Sequence, residues 1–251
     1  PGAPDTAARA LAAALGAATR TVASAAARPA DGIVVGRTPW AVRPESTRAR
    51  RALLAGDPHL ELTLPSIWYE VHLSVPGVLD EYGVTIPGAP SIIIGFNRQV
   101  AWTFTNTGAD VVDFYAESVD VAAHPARYLV DGAWRPVTRR IERYLSPDGA
   151  VLAVDTLRFT HRGPLRRVGA RWLSMRWTVL EPHTELAPFL GAAHAATADA
   201  WLDSMRTFEA PAQNMLVADT SGTIAIRSTG KFPIRPGDGR GDLVRDGTTS
   251  R

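Results

Sequence analysis

The period of the apolar residues changes once along this chain. From Asp5 to about Ala27, Ala7, Leu11, Ala14, Leu15 and Ala18 recur at helical spacing behind Asp5, a residue suited to capping, and predict one amphipathic helix. Ala27-Arg28-Pro29-Ala30-Asp31-Gly32 breaks it. Around Gly36 the texture turns to short β-rich runs punctuated by Pro, Gly, Asn and Asp, beginning with Ile33-Val34-Val35 and Trp40-Ala41-Val42. Residues 67–74 alternate like a strand, and residues 91–105 read as two strands joined at Asn97-Arg98, a tight-turn pair. Further strands are predicted over 114–118, 139–144, 154–160, 172–179, 215–219 and 223–228. Helical spacing returns at 198–208, with Trp201, Met205 and Phe208 on one side. The sum is an α+β protein with many antiparallel strands.

Composition narrows what this pattern can do. The chain has 251 residues, 45% of them hydrophobic, which is ample for a core. Its formal net charge is +2, and the basic residues are scattered apart from short clusters such as Arg48-Ala49-Arg50-Arg51, so no nucleic-acid partner is expected. There is no cysteine, which excludes disulfides, a thiolate nucleophile and a cysteine-ligated zinc site. His72, His124, His183 and His194 show no metal-ligand spacing, and no glycine-rich phosphate loop is present. No apolar run is long enough for a membrane-spanning helix. With no methionine before Pro1 and a polar, turn-rich close at Arg245–Arg251, both ends read as cut edges of something longer.

Four stretches carry candidate chemistry: Leu53-Leu54-Ala55-Gly56-Asp57-Pro58-His59-Leu60, residues 91–117, Thr160-His161-Arg162-Gly163-Pro164-Leu165, and residues 211–235 with Pro211-Ala212-Gln213-Asn214. Together and in this order they resemble the penicillin acylase family of N-terminal-nucleophile hydrolases, which includes cephalosporin and acyl-homoserine-lactone acylases. The resemblance runs from Gly36 to the end. It implies an incomplete αββα sandwich of antiparallel sheets, in which residues 1–30 close the shorter chain, 31–36 are the linker removed on maturation, and 37–251 begin the longer chain. It further implies a small-molecule amide as substrate, the missing remainder of both chains as partner, no organic cofactor, and a periplasmic or secreted location.

In such a family a Ser follows Gly at the start of the longer chain and precedes a pattern like Asn-x-Trp-x-Val. Gly36-Arg37-Thr38-Pro39-Trp40-Ala41-Val42 aligns without a gap, so the nucleophile position is Arg37. A protonated guanidinium has neither the hydroxyl nor the lone pair that attack and self-cleavage need. Thr38 offers a hydroxyl, displaced by about 3.8 Å and turned to the opposite face of a strand. Three consecutive departures at 37–39 also fit a non-catalytic, ligand-binding relative, or a local sequence error or decaying gene copy.

The resemblance assigns the supporting roles. His59 would orient the α-amine, Asn106 would lend its backbone N–H to an oxyanion hole, and Asn214 would lend its side-chain amide. Asp110, Val112 and Asp113 match a calcium-binding loop, two carboxylates and a carbonyl suited to a hard cation; read alone, the two aspartates are equally turn residues. Trp68, Tyr69, Trp102 and Phe104 are candidates for an acyl pocket, or for core. His161 receives no catalytic role.

Overall fold

The computed structural model describes residues 39–58, 63–181, 185–237 and 239–250. The predicted helix at 5–27, the run at 33–35, Arg37, Thr38, His59 and His183 lie outside them. The described chain forms two compact units, one of residues 39–109 and 185–232, the other of 110–181 and 233–250.

The first unit opens with the hairpin β1 (Trp40–Val42) and β2 (Leu53–Ala55). It continues through β3 (Tyr69–Val75), β4 (Leu79–Thr85), β5 (Ile94–Phe96) and β6 (Val100–Asn106). The second unit contributes β7 (Val112–Glu117), the small hairpin β8 (Arg127–Val130) and β9 (Ala133–Pro136), and the meander β10 (Thr138–Leu145), β11 (Val151–Thr160), β12 (Gly163–Val168) and β13 (Arg171–Trp177). The chain then returns to the first unit with α1 (Ala187–Ala192), α2 (Ala198–Ser204), β14 (Gln213–Asp219) and β15 (Ile224–Thr229), and closes in the second with β16 (Arg245–Asp246).

In the first unit a six-stranded antiparallel sheet has the order β15-β14-β6-β5-β4-β3. The Asn97-Arg98 turn forms as expected: Asn97 Oδ1 accepts from the N–H groups of Gln99 and Val100, while its Nδ2 donates to the carbonyls of Ala193 and Ala195. Period-two alternation gives the sheet two unlike faces. Trp102, Phe104, Met215 and Val217 point to one face and pack with Phe189, Trp201, Leu202 and Met205 into a buried core. Trp102 stacks on Trp201 at 5.7 Å between ring centroids, and Phe104 meets Phe189 at 5.7 Å.

The helical spacing read at 198–208 is α2 continued by a 3-10 turn over Met205–Thr207. Its start is doubly fixed. The Thr197 side chain accepts the Ala200 N–H at 3.1 Å, and Asp219 Oδ2 accepts the Ala198 N–H at 2.9 Å. The other oxygen of Asp219 accepts N–H bonds from Ser221 and Thr223, closing the turn between β14 and β15.

In the second unit the sheet order is β10-β11-β12-β13-β7-β16, antiparallel except that β16 runs parallel to β7. Its interior contains charge. Arg162 Nη1 donates to Glu117 Oε1 at 3.0 Å, with side-chain exposures of 5% and 0%. The same guanidinium donates to the carbonyls of Gly247 and Thr249 and lies over the Tyr115 ring at 4.4 Å. Burial pushes the Glu117 carboxyl up, against the pull of Ser174 and Arg162.

Candidate functional site

Strands β6 and β14 put two asparagines at one end of the first sheet. Asn214 lies opposite Thr105 on β6 and opposite Ser228 on β15, so all three side chains leave from the face turned away from the aromatic core. Ser228 Oγ donates to Asn214 Oδ1 at 2.6 Å. That bond fixes the amide, leaving its NH₂ toward Thr105 Oγ1 at 3.3 Å and the Asn106 carbonyl at 3.5 Å. Both contacts are long for N–H···O bonds, so the Asn214 hydrogens remain able to serve a stronger acceptor.

Asn106 sits differently. Its side chain lies on the other face, where Oδ1 accepts from Gln213 Nε2 at 2.9 Å. Opposing residues in an antiparallel ladder alternate between exchanging both backbone bonds and exchanging neither. Thr107 donates to the Ala212 carbonyl, so the neighbouring Asn106–Gln213 pair is of the second kind, and the Asn106 N–H points away from β14. The two asparagines thus sit on opposite faces of the same strand end.

The β1–β2 hairpin packs on this sheet through Gly56. A side chain at Gly56 would bring its Cβ to 2.0 Å from Thr103 Oγ1, and Thr103 shares the Asn214 face of the sheet. Only glycine lets this segment pack so closely. Position 37 is two residues before the first described residue, Pro39, and three before β1.

The aromatic assignments divide. Trp102 and Phe104 are 2% and 4% exposed on the helix-covered face, so they are core and line no acyl pocket beside Asn214. Burying large rings against helices α1 and α2 accounts for their placement. Tyr69 is exposed, while Trp68 is half-buried just before β3, the edge strand. His161 stacks on Tyr128 at 5.7 Å, and the Tyr128 hydroxyl, accepting the His161 backbone N–H, meets Nδ1 at 3.1 Å. Burial lowers the pKa of this imidazole, and its ring and backbone are both engaged by Tyr128 in a structural contact.

The 110–113 loop also differs from the implied ligand set. Arg235 Nε donates to both oxygens of Asp113, at 2.9 and 3.1 Å, and its Nη2 donates to the Asp110 carbonyl at 2.9 Å. Val112 opens β7, paired with Trp177. With Asp113 held by a guanidinium, Asp110, Val112 and Asp113 do not fit a calcium ion in this arrangement. Among the described residues no group of three or more His, Cys, Asp or Glu is placed to hold a metal.

Sequence reasoning passed over Ser228, Thr105, Gln213, Arg235 and Arg245. A hairpin centred on Ser221, with Thr220-Ser221-Gly222 as its loop, would have put Ser228 opposite Asn214 by register alone. No local signal could pair Arg235 with Asp113, 122 positions apart.

A sheet of this α+β chain therefore carries Asn106 and Asn214 on neighbouring strands at one strand end. Comparison with known proteins defines the group. The penicillin amidase family model matches residues 3–251, and the chain belongs to that family. The acyl-homoserine lactone acylase QuiP of Pseudomonas aeruginosa is 30% identical over 227 residues, covering 84% of this chain and 26% of that protein. QuiP of Pseudomonas syringae pv. syringae is 32% identical over 214 residues, 83% of this chain and 26% of its own length. The structure of a thermostable penicillin G acylase from Alcaligenes faecalis matches with a TM-score of 0.73 and 26% identity, over 83% of this chain and 38% of that one. The chain spans about a quarter of the length of the curated relatives it matches.

Proposed function

We propose that this chain supplies the carbonyl-polarising part of an amidohydrolase that cleaves the C–N bond of linear amides, releasing an acyl group from a β-lactam, homoserine lactone or related amine. The observation that carries this is the clamped amide of Asn214: Ser228 holds its oxygen at 2.6 Å and leaves its N–H groups toward weak acceptors, beside the Asn106 backbone. An oxyanion forming there would accept from Asn214 Nδ2, and the resemblance adds the Asn106 backbone N–H as a second donor. The attacking group must be a hydroxyl at the start of the longer chain, and position 37 holds arginine. In the native sequence the site accordingly binds an amide, or the carboxylate it yields, without turning it over; Arg37 favours this second reading.

The test is hydrolysis of a phenylacetyl or fatty-acyl chromogenic anilide by the full-length protein, native against Arg37→Ser with Thr38→Asn, with chain cleavage followed by mass. Hydrolysis and two chains are expected only in the double variant. In that background Asn214→Ala lowers kcat by about 10²–10³. Turnover by the native protein would sink the Arg37 assignment, and an unchanged kcat in Asn214→Ala would sink the role of Asn214.

A further inference from the structure

We propose that Arg235, supported by Arg245, is the resident cation of the 110–113 loop, a guanidinium built into the chain where the resemblance implies a divalent metal. The geometry is that of a filled site. Arg235 is 10% exposed and Asp113 6%, and the planar fork of Arg235 reaches Asp113, the Asp110 carbonyl and, at 3.3 Å, Asp110 Oδ1. Arg245 Nε approaches Asp113 Oδ1 at 3.4 Å from a second direction. Two aspartates thus face two guanidinium groups and the charge closes to neutral. Calcium would need six to eight oxygen ligands and would have to enter against two fixed positive charges.

Packing confines the pair on one side, while the Asp110 side chain stays half-exposed. A Cβ at Gly241 would fall 1.9 Å from Asp110 Oδ2 and 2.6 Å from Arg235 Cζ, so the backbone at 241 lies directly against the ion pair. The loop entering β7 is thereby tied to the segment leading into β16, and the tie depends on position 235 and not on the metal content of the medium. Lysine would not replace it, because a point charge cannot donate in two directions from one plane.

This inference is independent of the amidase reading and is tested without activity. The melting temperature of the full-length protein is measured in millimolar calcium chloride and in a chelator, alongside a calorimetric calcium titration. The native protein is expected to melt alike in both and to show no binding heat. Arg235→Ala is expected to melt about 10 °C lower, because Asp113 stays buried without its partner, and to regain part of that loss in calcium. Arg235→Lys, the milder variant should Arg235→Ala not fold, is expected to melt between the two without responding to calcium. Stabilisation of the native protein by calcium overturns the proposal. So does an Arg235→Ala variant that melts with the native protein, or one that calcium leaves unmoved.

Discussion

The two six-stranded sheets are held by different chemistry. In the sheet that carries Asn214, stability comes from rings and aliphatic chains: Trp102 and Phe104 of the sheet pack against Phe189 and Trp201 of two short helices, and apart from Asp219 at the end of β14, Glu81 is the only acid among the described residues buried on that face. In the sheet that carries Asp113, buried carboxylates meet arginines drawn from distant parts of the chain, Glu117 with Arg162 and Asp113 with Arg235. Apolar packing loses stability in proportion to what is removed. A buried ion pair is strongly destabilised when one partner goes, because the other is left charged in an apolar setting.

The largest effect falls in the apolar sheet. Trp201→Ala removes a fully buried ring that touches both Trp102 and Phe104, and is expected to cost about 4 kcal/mol in urea unfolding. Next, Arg162→Ala strands Glu117 and is expected to cost about 3 kcal/mol, whereas Arg162→Met combined with Glu117→Leu recovers most of it. If the double change is as damaging as the single one, the contrast between the sheets fails.

The smallest effect tests the one acid that breaks the rule in the first sheet. Glu81 is 4% exposed, faces the same side as Leu73, and burial pushes its pKa from 4.5 to about 7. Below the ordinary value the carboxyl is protonated folded and unfolded, and costs nothing. As pH rises toward 7 the unfolded chain releases the proton first, so stability falls and then levels off. Glu81→Gln is therefore expected to stabilise by about 2 kcal/mol near pH 8 and by nothing near pH 4. An equal gain at both would show that packing, and not titration, sets the difference.

The sequence revealed strands and faces better than partners. Ala101-Trp102-Thr103-Phe104-Thr105 alternates large and small, and the helix with Trp201, Met205 and Phe208 is the matching apolar stripe, so the core was legible as two halves. The sequence left Trp102 and Phe104 open between pocket and core; the helix that covers one face decides for core, and the small residues mark the open face. The strands β2, β4, β8, β9, β12 and β16 and helix α1 escaped notice because they are short, or polar on solvent-facing positions, and are fixed by neighbours distant in sequence. The same holds for the loop at Asp113, whose arginine partners follow in the sequence only after many intervening strands.

Asp219 draws two elements into a single event. One oxygen holds the first turn of α2 and the other holds the hairpin that brings Ser228 across from Asn214. Amide exchange at Ala198 and at Thr223 is thus governed by one shared opening, and the helix cannot fray at its start without slackening the register that aims the Asn214 amide.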